Sequence, residues 1–464
     1  MIRLYDSSAG QVVDVVPRDE GRLAVYVCGP TVYDLPHLGH GRHALVWDVA
    51  RRWWTFSGYD VRFVSNITDL DDKIIERADH DQMTEGDIAA TYETAWWSAL
   101  DALGVARPDA TPHATAYVRE MIELIEELLA RGAAYSIDDD GIYFDTACVP
   151  DYGLLAGQPL ESLRAGARVE VVAEKRSPLD FALWKAAIFG QPSWGASFGP
   201  GRPGWHTECV VMSLALLGEN FDLHCGGFDL RFPHHENERA QAVALGRPFA
   251  RHWAHHGWVM AGEEKMSKSL GNYTTLTDLL ASHDPRAYRL LVLRSHYRQP
   301  IEVSAATLAD AERALARLDG LARRFALPTL AGPSAFARAE STAWSAEGEE
   351  LRAEVAAALD EDLDTPQALA ALFEAVGRAH ALADAEDDRA EALAEAVGAL
   401  LAALGLSLRA GAAEVDQESA RLVAARDAAR TARNWAAADH YRDELVARGW
   451  VVEDGPTGTR LHRA

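Results

Sequence analysis

The chain has 464 residues, of which 48% are hydrophobic and 25% charged, and its formal net charge is −25. This composition is typical of a soluble globular protein with room for about three domains, and its acidity argues against a nonspecific nucleic-acid binder. The N-terminus has no apolar leader and no run approaches the ~18 apolar residues of a membrane span, so we expect a cytoplasmic protein without membrane contact.

The first part of the chain alternates strand-like and helix-like segments. "GRLAVYVCG" predicts a buried strand, and a turn-rich loop and the helical segment "HALVWDVARRWWTFSG", ending at Gly58, follow it. "YDVRFVSNIT" predicts a second strand, and "DLDDKIIERA" a helix with acidic residues in its first turn. This order predicts an α/β fold with a Rossmann-like, doubly wound parallel sheet.

A mixed region from about 115 to 205 interrupts this alternation. It begins with the helical "ATAYVREMIELIEELLARG" and ends in a Gly/Pro-rich loop, which favours an inserted subdomain. Behind it, "ENFDLHCGG" predicts a returning strand, "HHENERAQAVALG" a helix and "HWAHHGWVM" a single further strand. The parallel sheet is therefore expected to be completed after the insertion.

From residue 286 onward the pattern becomes almost wholly helical. Residues 351–405 are rich in Ala, Leu and Glu and predict a helical bundle, with a candidate linker at 331–348. In the tail, Trp435 and Tyr441 lie among six arginines: Arg421, Arg426, Arg430, Arg433, Arg442 and Arg448. Two interpretations remain open, a small helical unit with inward-packed aromatics and an RNA-contacting face.

Two short motifs carry candidate phosphate-binding groups. "PHLGHGR" places His37 and His40 around Gly39 at a predicted helix start, where anions are favoured and a glycine lets a ligand approach the backbone. "EEKMSKSLGN" supplies Lys265 and Lys268, which can follow charge that develops on a polyphosphate. Taken singly, each motif is equally compatible with an ordinary polar loop.

The four cysteines and "FPHHENERAQ" raise the question of a metal. Cys28, Cys148, Cys209 and Cys225 contain no CxxC pair, which argues against a disulfide scaffold and leaves metal binding and simple burial open. On a helix that begins after Pro233, His234 and Glu238 point the same way, whereas His235 and Asn237 point elsewhere. Thiolate, imidazole and carboxylate suit Zn²⁺, but a solvated polar helix start is the alternative.

Together the motifs resemble a known family. HxGH followed some two hundred residues later by KMSKS resembles the class I aminoacyl-tRNA synthetases, although HLGH stands where HIGH is commoner. "VYVCGPTVYD", "NITDLDDKII", "DFALWKAA", "GRPGWHTECVVM", "LDEDLDTPQALAALF" and the tail are similar to the cysteinyl-tRNA synthetase family within that class. The resemblance implies ATP-dependent, Mg²⁺-assisted activation of L-cysteine to its adenylate and transfer to the 3′ end of tRNA(Cys). Nothing in the sequence suggests an obligate dimer, so we expect a monomer.

The resemblance also implies roles for individual residues. One Zn²⁺ per chain would be held by Cys28, Cys209, His234 and Glu238. ATP would contact His37, Gly39, His40 and Lys268, with His37, His40, Lys265 and Lys268 catalytic. The cysteine pocket would contain Thr68, Trp205, His224 and Asp229. Cys225 departs from the family's usual glycine, and a positive φ there would strain the backbone.

The zinc ion would solve a problem of shape. Cysteine and serine differ only by sulfur for oxygen, and contacts of this kind separate substrates by about 1–3 kcal/mol, whereas accurate translation needs roughly 10⁴–10⁵. A thiolate ligates zinc strongly and an alcohol does so poorly. The metal would therefore distinguish the side chains by their chemistry.

The expected domains follow the same resemblance. They are the first half of the catalytic domain (1–114), a connective insertion (115–205), the second half with the KMSKS loop (206–285), a helical stem-contact region (286–335), a tRNA-binding helical bundle (336–410) and a small anticodon-contacting unit (417–464).

Two rival functions are weighed against this interpretation. A paralogous ligase that transfers activated cysteine to an amino sugar would have a shortened helical C-terminus, whereas this chain has both the "DEDLDTPQALAALF" block and the Arg-rich tail. A catalytically silent RNA-binding or zinc-sensing module would have no use for an intact KMSKS and both HxGH histidines. Both features favour the tRNA ligase.

Overall fold

The computed structural model describes residues 1–157, 174–261, 264–265, 275–328, 344–410, 416–455 and 458–463. Residues 1–318 and 330–408 form one compact unit, and residues 319–329 and 409–464 form a second. None of the described helices combines the length and the apolar character needed to cross a membrane.

The described residues contain helices along most of the chain. The α-helices are α1 (Leu38–Phe56), α2 (Asp72–Asp81), α3 (Glu85–Ala102), α4 (Val118–Ala130), α5 (Trp205–Leu217), α6 (Glu236–Ala244), α7 (Leu276–Ser282), α8 (Pro285–Leu293), α9 (Ala305–Arg324), α10 (Ala346–Asp360), α11 (Thr365–Asp384), α12 (Arg389–Ala403), α13 (Gln417–Thr431) and α14 (Trp435–Ala447).

The strands of the described residues belong to five sheets. They are β1 (Arg3–Asp6), β2 (Gln11–Asp14), β3 (Arg22–Val27), β4 (Asp60–Ser65), β5 (Ala134–Ile137), β6 (Gly141–Phe144), β7 (Phe181–Ala186), β8 (Gly201–Pro203), β9 (Leu223–Gly227), β10 (His252–His256), β11 (Val259–Ala261), β12 (Glu264–Lys265), β13 (Ile301–Glu302), β14 (Trp450–Gly455) and β15 (Gly458–Arg463).

A four-stranded parallel sheet forms the centre of the first unit. Its order is β10-β9-β3-β4, and all three neighbouring pairs are parallel. Strand β3 is buried from Leu23 to Val27, as expected for a parallel strand covered on both faces. The chain leaves β3 for β4 on one side and returns through β9 on the other, and such a reversal opens a ligand crevice at the carboxyl ends of the strands. The predicted doubly wound fold is confirmed.

The predicted strand over 252–260 is wrong in one respect. Strand β10 ends at His256, and β11 belongs to a separate sheet with β12 and β13. Gly257 lies at the break, where a Cβ atom would be only 2.6 Å from the carbonyl oxygens of Arg298 and Gln299. Only glycine permits this close approach, so the chain changes sheets inside a sequence that shows continuous strand character.

An antiparallel sheet lies between β4 and β9 in the chain. Its order is β5-β6-β7-β8, and α4 precedes it after a single 3₁₀ turn at Ala114–Tyr117. The predicted helix is therefore present with a tighter first turn. Lys185 of β7 and Arg202 of β8 both form ion pairs with Asp72, at the start of α2, so this sheet is bound to the loop that follows β4.

A buried ion triad connects α1 to the helical part of the same unit. Asp48 of α1 accepts hydrogen bonds from Arg52 Nε (2.8 Å) and from Arg289 Nη1 on α8 (2.7 Å). Arg289 also donates to the carbonyl oxygens of Leu103, Gly104 and Leu404, the last just beyond α12. The side chains of Asp48 and Arg289 are each 1% exposed, so the triad is internal.

Helices α10, α11 and α12 form the predicted bundle. Buried Leu351, Val355 and Ala358 recur at helical spacing along α10, and α11 and α12 present similar faces. Most of the predicted linker at 331–348 lies outside the described residues.

The second unit contains more than the helices predicted for the tail. Strands β14 and β15 form an antiparallel hairpin behind α13 and α14. Trp450 is 1% exposed and donates its indole N–H to Ser419, while Tyr441 packs beside this core. Trp435, in contrast, is 60% exposed, so the expectation of inward-packed aromatics holds for one residue and fails for the other.

Candidate active site and metal centre

Two thiols, one imidazole and one carboxylate converge beside the parallel sheet. Cys28 follows β3, Cys209 lies on α5, His234 lies in the π-helical turn Arg231–His235, and Glu238 lies on α6. One ligand atom from each of these residues lies within 4.8 Å of those from the other three, and all four side chains are buried. The structure thus brings together the four residues that the resemblance implied, including the predicted pair His234 and Glu238.

The distances suit a tetrahedral ion. The two Sγ atoms are 3.6 Å apart, Cys28 Sγ is 3.6 Å from Glu238 Oε1, and His234 Nε2 is 3.1 Å from the same oxygen. Two thiolates bound at about 2.3 Å in tetrahedral geometry would be about 3.8 Å apart, and nitrogen or oxygen ligands slightly closer. The donor set and its spacing therefore fit Zn²⁺.

The protonation of the cluster is set by burial. Burial raises the pKa of the Cys28 thiol well above its ordinary value, that of Cys209 to about 11, and that of the Glu238 carboxyl in the same direction. Burial also lowers the pKa of His234 far below its ordinary value. A neutral imidazole is the form that ligates a metal, and thiols must lose their protons to do so, so metal binding here would release protons.

Two further histidines hold the ligands in place, and sequence reasoning missed one of them. His234 Nε2 faces Glu238, and its Nδ1 lies 2.9 Å from Nδ1 of His206, which fixes the ring. His224 on β9 is fully buried, and its Nε2 lies 2.7 Å from Glu238 Oε2. His224, predicted to lie near the substrate, therefore contacts a candidate metal ligand, and its substrate role stays a prediction.

A second combination of ligands overlaps the first. Cys28 and Glu238 could also share an ion with His224 and His235. The sequence predicts that His235 points elsewhere than His234 and Glu238; in the structure it is fully buried, with Nδ1 2.9 Å from Nε2 of His255. The kink of this turn lies at Phe232, before both histidines, because the backbone angles of that residue are extended.

The HxGH residues form the first turn of α1. His37 is the N-cap, its Nδ1 accepts from the backbone N–H of His40, and His40 Nδ1 accepts from that of His37, each at 3.3 Å. Since both Nδ1 atoms act as acceptors, each neutral ring carries its proton on Nε2, where it can donate to an anion. The two rings stack with centroids 3.8 Å apart.

The structure gives Gly39 a steric role beside the predicted one. A Cβ atom there would lie 2.8 Å from Cε1 and 2.9 Å from Nδ1 of His37. The glycine thus makes room for the His37 ring against its own helix, and the predicted contact of Gly39 with ATP stays a prediction.

The described residues at the two edges of the KMSKS segment pair with β11 and with the residues at the start of α1. Lys265 lies on β12 and is paired with Met260 of β11, while its side chain and Lys268 lie outside the described residues. On the far side, the backbone N–H of Leu276 donates to Pro36 O at 2.7 Å, and Thr275 pairs with His37. The described residues that follow the KMSKS segment therefore lie next to the HxGH turn.

Two of the predicted cysteine-pocket residues, Trp205 and His224, contact the metal cluster. Trp205 is 36% exposed at the start of α5 and stacks on His234 with ring centroids 4.1 Å apart. Asp229 follows β9, close enough to Gly227 that a Cβ there would lie 2.6 Å from its Oδ1. Thr68 is buried in the loop after β4, and its backbone pairs with Thr31 and Pro30. Their contacts with substrate stay predictions.

The Thr68 hydroxyl contacts a carboxyl group that the sequence did not single out. It donates to Oε2 of Glu208 at 2.9 Å, and Glu208 is fully buried in the first turn of α5. Asn66 Nδ2 donates to the same hydroxyl oxygen at 3.2 Å. Asn66 and Glu208 thus contact the hydroxyl of a residue that is predicted to line the cysteine pocket.

The remaining cysteines need no special explanation. Cys225 is fully buried on β9, pairs in register with Ala254 and Val27, and is absent from the residues with positive φ. The strain that a positive φ would have caused does not arise. Cys148 is exposed in a 3₁₀ turn, and all four cysteines are free thiols, as expected.

Family models match three segments of the chain. The class I (C) catalytic domain of tRNA synthetases matches residues 14–313, the DALR domain residues 354–409, and the anticodon binding domain of cysteinyl-tRNA ligase residues 412–461.

Similar proteins carry the name cysteine–tRNA ligase. They include those of Alkalilimnicola ehrlichii (45% identical over 477 residues), Methylobacillus flagellatus (42% over 475) and Escherichia coli (41% over 474). In each case the match covers 100% of both chains.

Solved structures share the fold at low identity. Mycobacterium tuberculosis methionyl-tRNA synthetase with methionyl-adenylate gives a TM-score of 0.60 at 16% identity, covering 82% of this chain and 89% of that one. A ternary complex of Agrobacterium radiobacter LeuRS with tRNA gives 0.60 at 11% identity, covering 84% of each chain.

Proposed function

The chain belongs to the cysteine–tRNA ligase family of class I synthetases, and from this premise we propose how its pocket selects and activates cysteine. The protein is an aminoacyl-tRNA ligase that joins cysteine to tRNA with ATP. We propose that it holds one Zn²⁺, uses Mg²⁺ with ATP, and acts as a cytoplasmic monomer.

One observation carries the metal proposal. Four buried ligand atoms of the types that zinc prefers lie within 4.8 Å of one another, at the end of the parallel sheet where ligands bind in this class of fold. Zinc, when bound, would ligate a cysteine thiolate far better than a serine hydroxyl. This difference can supply the roughly 10⁴–10⁵ discrimination that shape alone cannot.

The residues of the chain prepare the site for this ion. His206 fixes the His234 ring from behind, and His224 occupies one oxygen of Glu238, so both ligands are oriented before substrate arrives. Trp205, which is partly exposed, stacks on the His234 ring. This arrangement supports the view that the site is preorganised for the thiol.

Activation would rely on positioning and charge. The cysteine carboxylate is already ionised, so it can attack the α-phosphate of ATP in line without a general base, releasing pyrophosphate. The Nε2–H groups of His37 and His40 would donate to phosphate oxygens, and Lys265 and Lys268 would follow the charge on the leaving pyrophosphate. The ribose at the 3′ end of tRNA would then take the cysteinyl group from the adenylate, and the class I resemblance implies its 2′-hydroxyl.

Cysteine-dependent ATP–pyrophosphate exchange tests the activation step, with serine as the matched control substrate. We expect exchange with cysteine and at least about 10⁴-fold less with serine. Charging assays with tRNA and with glucosaminyl-inositol then identify the acceptor, and only tRNA should be charged. Exchange with both amino acids, or a preparation without stoichiometric metal, would overturn the zinc proposal.

A further inference from the structure

A directed chain of hydrogen bonds passes through Thr68, which is predicted to line the cysteine pocket, and ends at Glu208. It starts at the backbone N–H of Gly29, which donates to Asn66 Oδ1 at 2.8 Å. Asn66 Nδ2 then donates to Thr68 Oγ1 at 3.2 Å, and the Thr68 hydroxyl donates to Glu208 Oε2 at 2.9 Å. Thr68, Asn66 and Glu208 are at most 2% exposed, so water does not compete for these bonds.

The direction of this chain is fixed at its start. A backbone N–H can only donate, so the Asn66 oxygen faces Gly29 and its NH₂ group must face Thr68. The close contact also excludes any other residue at position 29, because a Cβ there would lie 1.6 Å from the carbonyl oxygen of Asn66. Asn66 therefore cannot turn its amide without losing a buried bond.

These two bonds leave the Thr68 hydroxyl one lone pair with which to accept a hydrogen bond from a ligand. Its proton is directed to Glu208, and one of its two lone pairs accepts from Asn66. The remaining lone pair can only accept a hydrogen bond. The family resemblance implies that Thr68 contacts the amino group of the substrate, and an ammonium group, with three donors and no acceptor, is compatible with this oxygen.

We propose that Glu208 and Asn66 are positioning residues that hold the Thr68 hydroxyl as an acceptor for the α-ammonium group of cysteine. The inference rests on the proposed function, because it concerns the same pocket. Glu208 adds a second element: its Oε1 is buried and has no hydrogen-bond partner among the described residues. A carboxyl oxygen in this position is costly unless a cationic or donor group comes near it.

A pair of ligands distinguishes positioning from mere structural support. Cysteine and 3-mercaptopropionate share the thiol and the carboxylate, but the second has no amino group. Calorimetric titration of the intact zinc-loaded protein gives both affinities, and their ratio measures recognition of the amino group. In Glu208→Gln we expect the cysteine affinity to fall about 10- to 100-fold, since a bond to a charged group is affected, while the 3-mercaptopropionate affinity stays within about twofold.

A double-mutant cycle tests the path through Thr68. Thr68→Val should lower the same ratio, and adding Glu208→Gln in that background should lower it less than in the wild type, because the hydroxyl that Glu208 Oε2 orients is absent. Thr68→Ser keeps the hydroxyl and should keep the ratio. If Glu208→Gln does not fold, Asn66→Asp provides the second test, since it keeps the acceptor for Gly29, removes the donor to Thr68 and should also lower the ratio.

The inference would be overturned if Glu208→Gln lowered the affinities for cysteine and 3-mercaptopropionate equally. It would also be overturned if Glu208→Gln and Thr68→Val had additive effects on the affinity ratio. Either result would indicate a structural role. The zinc content of every variant is measured alongside, because Glu208 adjoins Cys209. Wild-type exchange activity with cysteine separates the two levels: its absence would refute the proposed function, whereas an unchanged ratio in an active background would refute this inference alone.

Discussion

Asp48→Asn should destabilise the first unit because it leaves two buried arginines without their anion. The carboxylate accepts from Arg52 and Arg289 through one oxygen and from the backbone N–H of Ala106 through the other. Removing one partner of a buried ion pair costs about 3–5 kcal/mol. The amide has nearly the same shape, so packing changes contribute little.

Urea unfolding followed by tryptophan fluorescence measures this loss. Three tryptophans, Trp47, Trp53 and Trp54, lie on the same helix as Asp48. With a slope of about 3 kcal/mol/M or somewhat more for a unit of this size, the midpoint should fall by about 1 M. Asp60→Asn is the matched control, because Asp60 pairs with Arg22 at the surface and its side chain is 76% exposed. This substitution should change the free energy of unfolding by no more than about 0.5 kcal/mol.

The pH dependence provides a second check. Burial alone would raise the pKa of Asp48, but Arg289 and Arg52 outweigh it, and the pKa lies below its ordinary value of 3.8. A depressed pKa in the folded state gives stability that is present above the unfolded pKa and is lost as the pH falls through the folded one. The difference in unfolding free energy between wild type and Asp48→Asn should therefore be largest above about pH 5 and should shrink below about pH 4. A gap under about 1 kcal/mol at pH 7, or one that persists unchanged in acid, would refute this account of the triad.

Three further predictions concern the site. Gly39→Ala should displace the His37 ring and lower ATP–pyrophosphate exchange about 10- to 100-fold, whereas Gly86→Ala in α3, whose nearest neighbour would be 4.0 Å away, should not; equal rates in both variants would contradict the role assigned to Gly39. Cys28→Ser should lose stoichiometric zinc, measured by atomic absorption, and with it most of its preference for cysteine over serine; full metal retention would exclude Cys28 as a ligand. Lys268→Ala should lower the exchange rate by about two orders of magnitude or more while calorimetry shows unchanged cysteine binding, and an unchanged rate would remove Lys268 from the catalytic residues.

The central sheet could be predicted from sequence because its signals are local. Strand β3 is a continuous apolar run, α1 has helical periodicity with Gly58 at its end, and α2 begins with acidic residues. The break between β10 and β11 could not be predicted, since Gly257 is needed only because residues 298–299 pass close to it. The hairpin of β14 and β15 was not predicted either. In the sequence its buried Trp450 looks like one more aromatic residue of an arginine-rich tail.

In the candidate site, too, local features could be predicted and features set by the tertiary fold could not. His234 and Glu238 share a helix face visible in the sequence, whereas their convergence with Cys28 and Cys209 depends on the tertiary fold and was inferred only through family resemblance. Nothing in the sequence singles out Glu208, because an acidic residue near a helix start ordinarily lies at the surface, where it stabilises the helix dipole. Its complete burial results from the packing of α5 against the sheet and has no signature in the sequence.

Covalent neighbours link the metal cluster to the hydrogen-bond chain: Gly29 follows Cys28, and Glu208 precedes Cys209. Consecutive Cα atoms are about 3.8 Å apart, so no hinge or loop movement can alter the spacing between these adjacent positions. Homocysteine, with one extra methylene, would carry its sulfur up to about 1.5 Å farther from its nitrogen. The fixed backbone spacing would then disfavour an amino acid that has the right thiol chemistry but a side chain that is too long.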